Sequence, residues 1–141
     1  MLKTVLHTAN SKIKFDAFKE KVLDDYKLVV LSRECSLLGR KEVLSGKAKF
    51  GVFGDGKELP QVVLNHFFKE GDFRSGYYRD QTILIGQNLL TPTQYFSALY
   101  ANPNIKEEPM SGGRQMSAHF VTPSIDERGE WLDLTSQYNH S

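Results

Sequence analysis

The tetrad Tyr77-Tyr78-Arg79-Asp80 carries the side chains best suited to chemistry in this sequence. A phenol hydroxyl beside a guanidinium can grip a phosphate, because the arginine fork donates paired, charge-assisted hydrogen bonds to an oxyanion. Placed at the end of a strand and the mouth of a helix, the tetrad also gains the unpaired amides of a helix start. The same residues suit a plain helix cap with an ion pair, and residue types alone leave both open. Gly51-Val52-Phe53-Gly54-Asp55-Gly56-Lys57 has the outline of a nucleotide phosphate loop, but Glu58 stands where such a loop needs Ser or Thr for magnesium. A carboxylate there repels phosphate, so the segment reads as a glycine-rich connection. The histidines His7, His66, His119 and His140 lack the close spacing of a metal site. His66 falls on an apolar helical stripe and reads as a packed core residue. His119 follows Gly112-Gly113-Arg114-Gln115-Met116, a tight, flexible approach that can carry polar side chains to a defined place.

These side chains need elements to hold them. Phe15, Phe18, Val22, Tyr26 and Val29 recur at helical spacing and predict a helix over 11–45, capped by Asn10 or Ser11, ended by Gly46, and bent or broken near Gly39. Three glycines between 51 and 56 predict a loop. Asp55 and Glu58 have the spacing of a capping box, and Leu59, Val62, Val63, His66 and Phe67 predict a second helix over 57–69. Phe73-Arg74-Ser75-Gly76-Tyr77-Tyr78 reads as a short extended segment. Asp80 is the expected cap of a third helix. Thr91-Pro92-Thr93-Gln94 opens a fourth, which runs to about residue 101 before Asn102-Pro103 stops it. Residues 102–141 are loop-rich, with Trp131 as their large anchor.

With 141 residues, of which 40% are hydrophobic and 11% aromatic, the chain can build one domain's core, which excludes a multi-domain machine and wholesale disorder. Its 18 basic and 17 acidic residues leave a net charge of +1, which argues against a dedicated nucleic-acid or membrane-surface binder. The basic excess lies in residues 1–50 and the acidic excess in 51–141, read here as solvated helix surface. A single cysteine, Cys35, cannot form an internal disulfide and suits a reducing compartment. No apolar run approaches the ~20 residues of a membrane span, and the amino terminus is too short and broken for a signal-peptide core. The expected location is cytoplasmic.

Four marks in this order resemble the amino-terminal part of the thiamin-diphosphate-dependent decarboxylating component, alpha-subunit type, of the 2-oxoacid dehydrogenase complexes. They are Arg33-Glu34 on the long first helix, Gly56-Lys57-Glu58-Leu59 opening the second, Tyr78-Arg79-Asp80 after a short strand, and Gly113-Arg114-Gln115-Met116 followed by His119. The resemblance is nearest the branched-chain, or 2-oxoisovalerate, type and runs from about residue 28 to the carboxyl end. Lys57 and Leu59 depart mildly from the family's Gly-Gln-Glu-Ala.

The resemblance implies a mainly α fragment with one or two short strands, taken from an α/β thiamin-diphosphate-binding fold. Residues 1–141 would be an incomplete N-terminal helical segment, inactive in isolation. The implied enzyme is an oxidoreductase that decarboxylates a 2-oxoacid on thiamin diphosphate and passes the acyl group to lipoyl groups. Its implied partners are a beta-type half, fused or separate, a lipoyl-bearing acyltransferase and the 2-oxoacid substrate, in a homo- or hetero-oligomer. Tyr78 and Arg79 would contact the cofactor diphosphate. Phe53, Arg114 and His119 would lie at the substrate pocket or its entrance, and magnesium would be held by residues outside this chain. Gly54-Asp55-Gly56 with Asn88 imitates the cofactor's metal motif but stands in the wrong order of elements, so it is read as chance. Set beside the enzyme is a different class of function, a free-standing helical protein-interaction module without catalysis.

Overall fold

The computed structural model describes residues 14–69, 72–117, 119 and 138–140. It is mainly helical, with α1 (Phe15–Leu44), α2 (Glu58–Asn65), α3 (Gln81–Gly86) and α4 (Pro92–Leu99) in chain order. Between α2 and α3 runs β1 (Phe73–Ser75), which pairs in parallel with β2 (Tyr138–His140), Phe73 opposite Tyr138. No helix among the described residues is long and apolar enough to cross a membrane. The caps expected at Asn10 or Ser11 and the anchor Trp131 lie outside the described residues.

The centre of the fold is α3, whose residues from Gln81 to Ile85 are all buried. Leu84 and Ile85 pack with Cys35 of α1, Tyr95 of α4 and Leu90 between them. Here α1 turns a different face to the core from the one its apolar stripe indicated. Its buried positions are Ser32, Cys35, Ser36, Gly39 and Glu42, while Phe15 is 76% and Tyr26 65% exposed. Small side chains explain the choice, because they let α3 approach α1 closely and hydrogen-bond to it. Ser32 Oγ and Thr82 Oγ1 stand 2.7 Å apart, and Gln81 Nε2 donates to Ser32 O at 2.9 Å and Ser36 Oγ at 2.7 Å. The hydroxyls and Gln81 Nε2 joined in this way avoid the cost of lost hydration, whereas Gln81 Oε1 is buried without a hydrogen-bond partner among the described residues.

Gly39 does not bend α1, which runs unbroken to Leu44. Its function is room. A Cβ on Gly39 would stand 2.6 Å from Phe53 Cε1, and one on Gly51 would stand 2.6 Å from Phe53 Cζ. The ring therefore sits in a notch made by two glycines. Gly39→Ala is expected to cost about 1–2 kcal/mol, because overpacking a filled notch outweighs the ~1 kcal/mol that alanine gains in a helix. Urea unfolding measures it, and an unchanged or raised midpoint would show that the ring has space to move.

The capping box expected from Asp55 and Glu58 does not form. Asp55 binds Arg40 instead, Oδ1 to Nη2 at 2.5 Å. Glu58, the first residue of α2 and 3% exposed, accepts the Gly56 amide at 3.0 Å and both arms of Arg33 at 2.6 and 2.7 Å. The fork ties α2 to α1. The Arg33 hydrogen bond holds the Glu58 carboxyl below its ordinary 4.5 against the upward push of burial. A carboxyl depressed in the folded state stabilises it above the unfolded value and loses that stabilisation as pH falls through the folded one. Stability should therefore drop between about pH 5 and pH 3. Glu58→Gln should flatten that drop in melts recorded across the range, whereas a parallel acid profile would place the sensitivity elsewhere.

His66, expected in the core, is exposed just past the end of α2, with Nε2 2.9 Å from Asp25 Oδ2. At α4 the local pattern holds: Thr91 Oγ1 accepts the Gln94 amide, Gln94 Oε1 accepts the Thr91 amide, and Pro92 occupies the first turn.

Candidate functional site

Residues 77–80 form a tight turn that sets Tyr78 and Arg79 at its tip. The Asp80 amide donates to Tyr77 O at 3.1 Å, and the Tyr77 amide donates to Asp80 Oδ2 at 2.8 Å. Asp80 occupies the cap position of α3 without a side-chain bond to the helix amides. Those amides are met from α2: Gln61 Oε1 accepts from Thr82 N at 3.1 Å and from Ile83 N at 3.3 Å. Two of the helix-start amides expected to help hold a phosphate, those of Thr82 and Ile83, are thus already bonded, which shifts recognition at this turn toward side chains.

Those side chains form an aromatic and cationic cluster. The Arg79 guanidinium lies over the Tyr78 ring, 4.9 Å from its centroid, in the geometry of a cation–π contact. Tyr77 and Tyr78 stack obliquely at 3.9 Å. A hydrogen bond to Tyr78 raises the Tyr77 phenol above its ordinary value. Arg79 is exposed and forms no ion pair among the described residues. The His119 ring stands 6.5 Å from the Tyr78 ring, and its Nδ1 is buried without a hydrogen-bond partner among the described residues.

The structure therefore brings Tyr78, Arg79 and His119 together. Phe53 and Arg114 make no ring contact or hydrogen bond with those three among the described residues. Phe53 fills its glycine notch, with the Arg40 guanidinium 6.0 Å from the ring centroid. Arg114 turns back on its own loop, Nε donating to Ser111 O at 2.9 Å.

That loop is built around Glu108, which sequence reasoning passed over. The buried Glu108 carboxylate accepts from Met110 N at 3.0 Å, Ser111 N at 2.9 Å, Ser111 Oγ at 2.8 Å and Gly113 N at 2.7 Å. Burial pushes its carboxyl up, but these four donors outweigh it and leave it below its ordinary value. Gly112 and Gly113 take φ of 59° and 74°, where only glycine is unstrained, and so turn the chain toward His119. Gly113 also packs against the Ala101 carbonyl, which leaves no place for a Cβ. No signal in the sequence separates Glu108 from its exposed neighbour Glu107.

No family model, curated protein or solved structure matches this chain. What the site can bind must follow from its geometry. Among the described residues, no group of three or more His, Cys, Asp or Glu can hold a metal ion. One exposed guanidinium and two phenols offer donors to an anion, beside an Asp80 carboxylate that accepts the Tyr77 amide, and a diphosphate is an anion that such donors can hold.

Proposed function

We propose that the chain is the N-terminal segment of a thiamin-diphosphate-dependent 2-oxoacid dehydrogenase of 2-oxoisovalerate type, and that Tyr78 and Arg79 hold the cofactor's diphosphate. One observation carries the proposal. Arg79 is exposed and lies on the Tyr78 ring without an ion pair among the described residues, and the His119 ring stands 6.5 Å from that same Tyr78 ring. An arginine serving only as a structural cap would be neutralised by a neighbouring carboxylate. Asp80 is adjacent in sequence, but its Oδ2 is directed to the Tyr77 amide.

In this proposal the fold is a helical part of the α/β thiamin-diphosphate-binding architecture. Bound thiamin diphosphate supplies the electron sink for decarboxylation of a 2-oxoacid. The chain's own residues bind and orient: Arg79 neutralises phosphate charge with its fork, Tyr78 backs the guanidinium and lends a hydroxyl, and His119 borders the substrate side next to Tyr78. Phe53 and Arg114 serve as supports of the loops that flank the site. Magnesium is assigned to residues outside this chain. The substrate is a 2-oxoacid, and the partners are a beta-type half that completes the site and a lipoyl-bearing acyltransferase that takes the acyl group.

The outer face of α1 supports a macromolecular partner. Val22, Tyr26 and Val29 of α1 and Leu59, Val63 and His66 near α2 line a groove of about 350 Å³ that is almost wholly apolar. The alternative, a free-standing helical interaction module, draws on this same face and predicts indifference to the cofactor. Calorimetric titration of the chain separates the two. Thiamin diphosphate and inorganic pyrophosphate should bind, and thiamin, which lacks the diphosphate, should bind at least tenfold more weakly. Equal binding of thiamin, or no heat from pyrophosphate, would refute the clamp.

A further inference from the structure

We infer that Gln61 is the positioning residue of the anion clamp, the group on α2 that sets the backbone of Arg79. This rests on the reading of Tyr78 and Arg79 as a clamp and goes beyond it, because Gln61 touches no ligand. Gln61 is 8% exposed and uses its whole amide. Nε2 donates to Lys57 O at 2.8 Å and to Arg79 O at 2.9 Å, while Oε1 accepts from Thr82 N and Ile83 N at 3.1 and 3.3 Å. One side chain thereby joins the glycine-rich loop, the turn bearing Arg79 and the first turn of α3.

The orientation of that amide is fixed by its partners. Two carbonyl oxygens require the nitrogen and two N–H groups require the oxygen, so a flipped amide would oppose like groups at all four contacts. The Arg79 carbonyl is also braced from the loop side, where a Cβ on Gly54 would stand 2.8 Å from it. Gripped by Gln61 and abutted by Gly54, the peptide after Arg79 has little freedom. The guanidinium is then presented over Tyr78 without first being ordered by the ligand, and pre-ordering of this kind raises affinity. It also explains why the Thr82 and Ile83 amides are bonded: the same side chain that places Arg79 takes them.

Gln61→Glu tests the assignment, since it keeps the oxygen facing Thr82 and Ile83 and replaces the donor facing Arg79 O with a second oxygen. Pyrophosphate binding to the 141-residue chain is followed by NMR titration for the wild type, Gln61→Glu, Arg79→Ala and the double variant, with circular dichroism melts to show that each is folded. At pH 8 Gln61→Glu should weaken binding about tenfold, and on the Arg79→Ala background it should have no further effect. At pH 5 the introduced carboxyl starts to take up a proton, regains a donor for Arg79 O, and its deficit relative to wild type should shrink. Gly54→Ala, which presses on the same carbonyl, should show the same dependence on Arg79 and serves if Gln61→Glu unfolds. Wild-type affinity in both variants, or an equal loss with and without Arg79, would overturn the role of Gln61 while leaving the clamp intact. Arg79→Ala with wild-type affinity would overturn the clamp and the inference together.

Discussion

Arg79→Ala is expected to lower the affinity of the chain for pyrophosphate and thiamin diphosphate roughly ten- to a hundredfold. The guanidinium belongs to the cluster of Tyr77, Tyr78, Arg79 and His119, is exposed, and lies over an aromatic face. A charged hydrogen bond to a phosphate is worth more than a neutral one, and its loss leaves an anion against a tyrosine ring. Arg79→Lys should recover part of the loss, because an ammonium keeps the charge but not the planar fork. Because Arg79 is exposed and unpaired among the described residues, the alanine variant should melt within a degree or two of wild type. A titration curve unchanged by the substitution would remove the clamp, and a collapse of the melt would mean that Arg79 supports the fold.

Glu108→Ala is expected to have the largest effect on stability, about 2–4 kcal/mol. The Glu108 carboxylate is 1% exposed and receives three backbone amides and a hydroxyl. Without it, the amides of Met110, Ser111 and Gly113 remain in place with no acceptor, the costly way to break a hydrogen bond. The loop should open, and with it the path that carries the chain toward His119. Hydrogen exchange resolved by residue checks this: those three amides should exchange much faster in the variant, while the α3 amides keep their protection. Glu107→Ala is the contrast. Glu107 is exposed and pairs with Asn102 and Asn104, so its loss should cost less than about 1 kcal/mol. Equal effects at the two positions would mean that burial of Glu108 does not govern the loop.

Features governed by near neighbours were legible in the residues. The start of α4 is one: the Thr91 and Gln94 side chains satisfy each other's backbone across three positions, a bond that needs no other element. The short strand after residue 72, the loop across the glycines at 51, 54 and 56, and the stop at Gly46, whose φ is 77°, are others. The face of α1 was misjudged because two stripes run along it. The apolar one is conspicuous, but the small one at Ser32, Cys35, Ser36 and Gly39 lets α3 approach, and close approach decided the packing. His66 fell on the apolar pattern of α2 yet lies beyond the helix end, where Asp25, 41 positions away, takes it.

Of the candidate site, the sequence by itself determined the chemical types, a phenol and a guanidinium at a turn before a helix and an imidazole after a glycine pair. It also determined the helices that begin and end on local signals. Only the tertiary structure decided that Arg79 stays unpaired among the described residues, that Gln61 and Gly54 hold its backbone, and that His119 rather than Phe53 or Arg114 comes to stand by Tyr78. The physical reason is separation along the chain. A cap or a turn is closed by atoms a few residues apart, whereas Gln61 meets Arg79 across 18 positions and Gln81 meets Ser32 across 49, and such bonds form only once burial has brought the helices together.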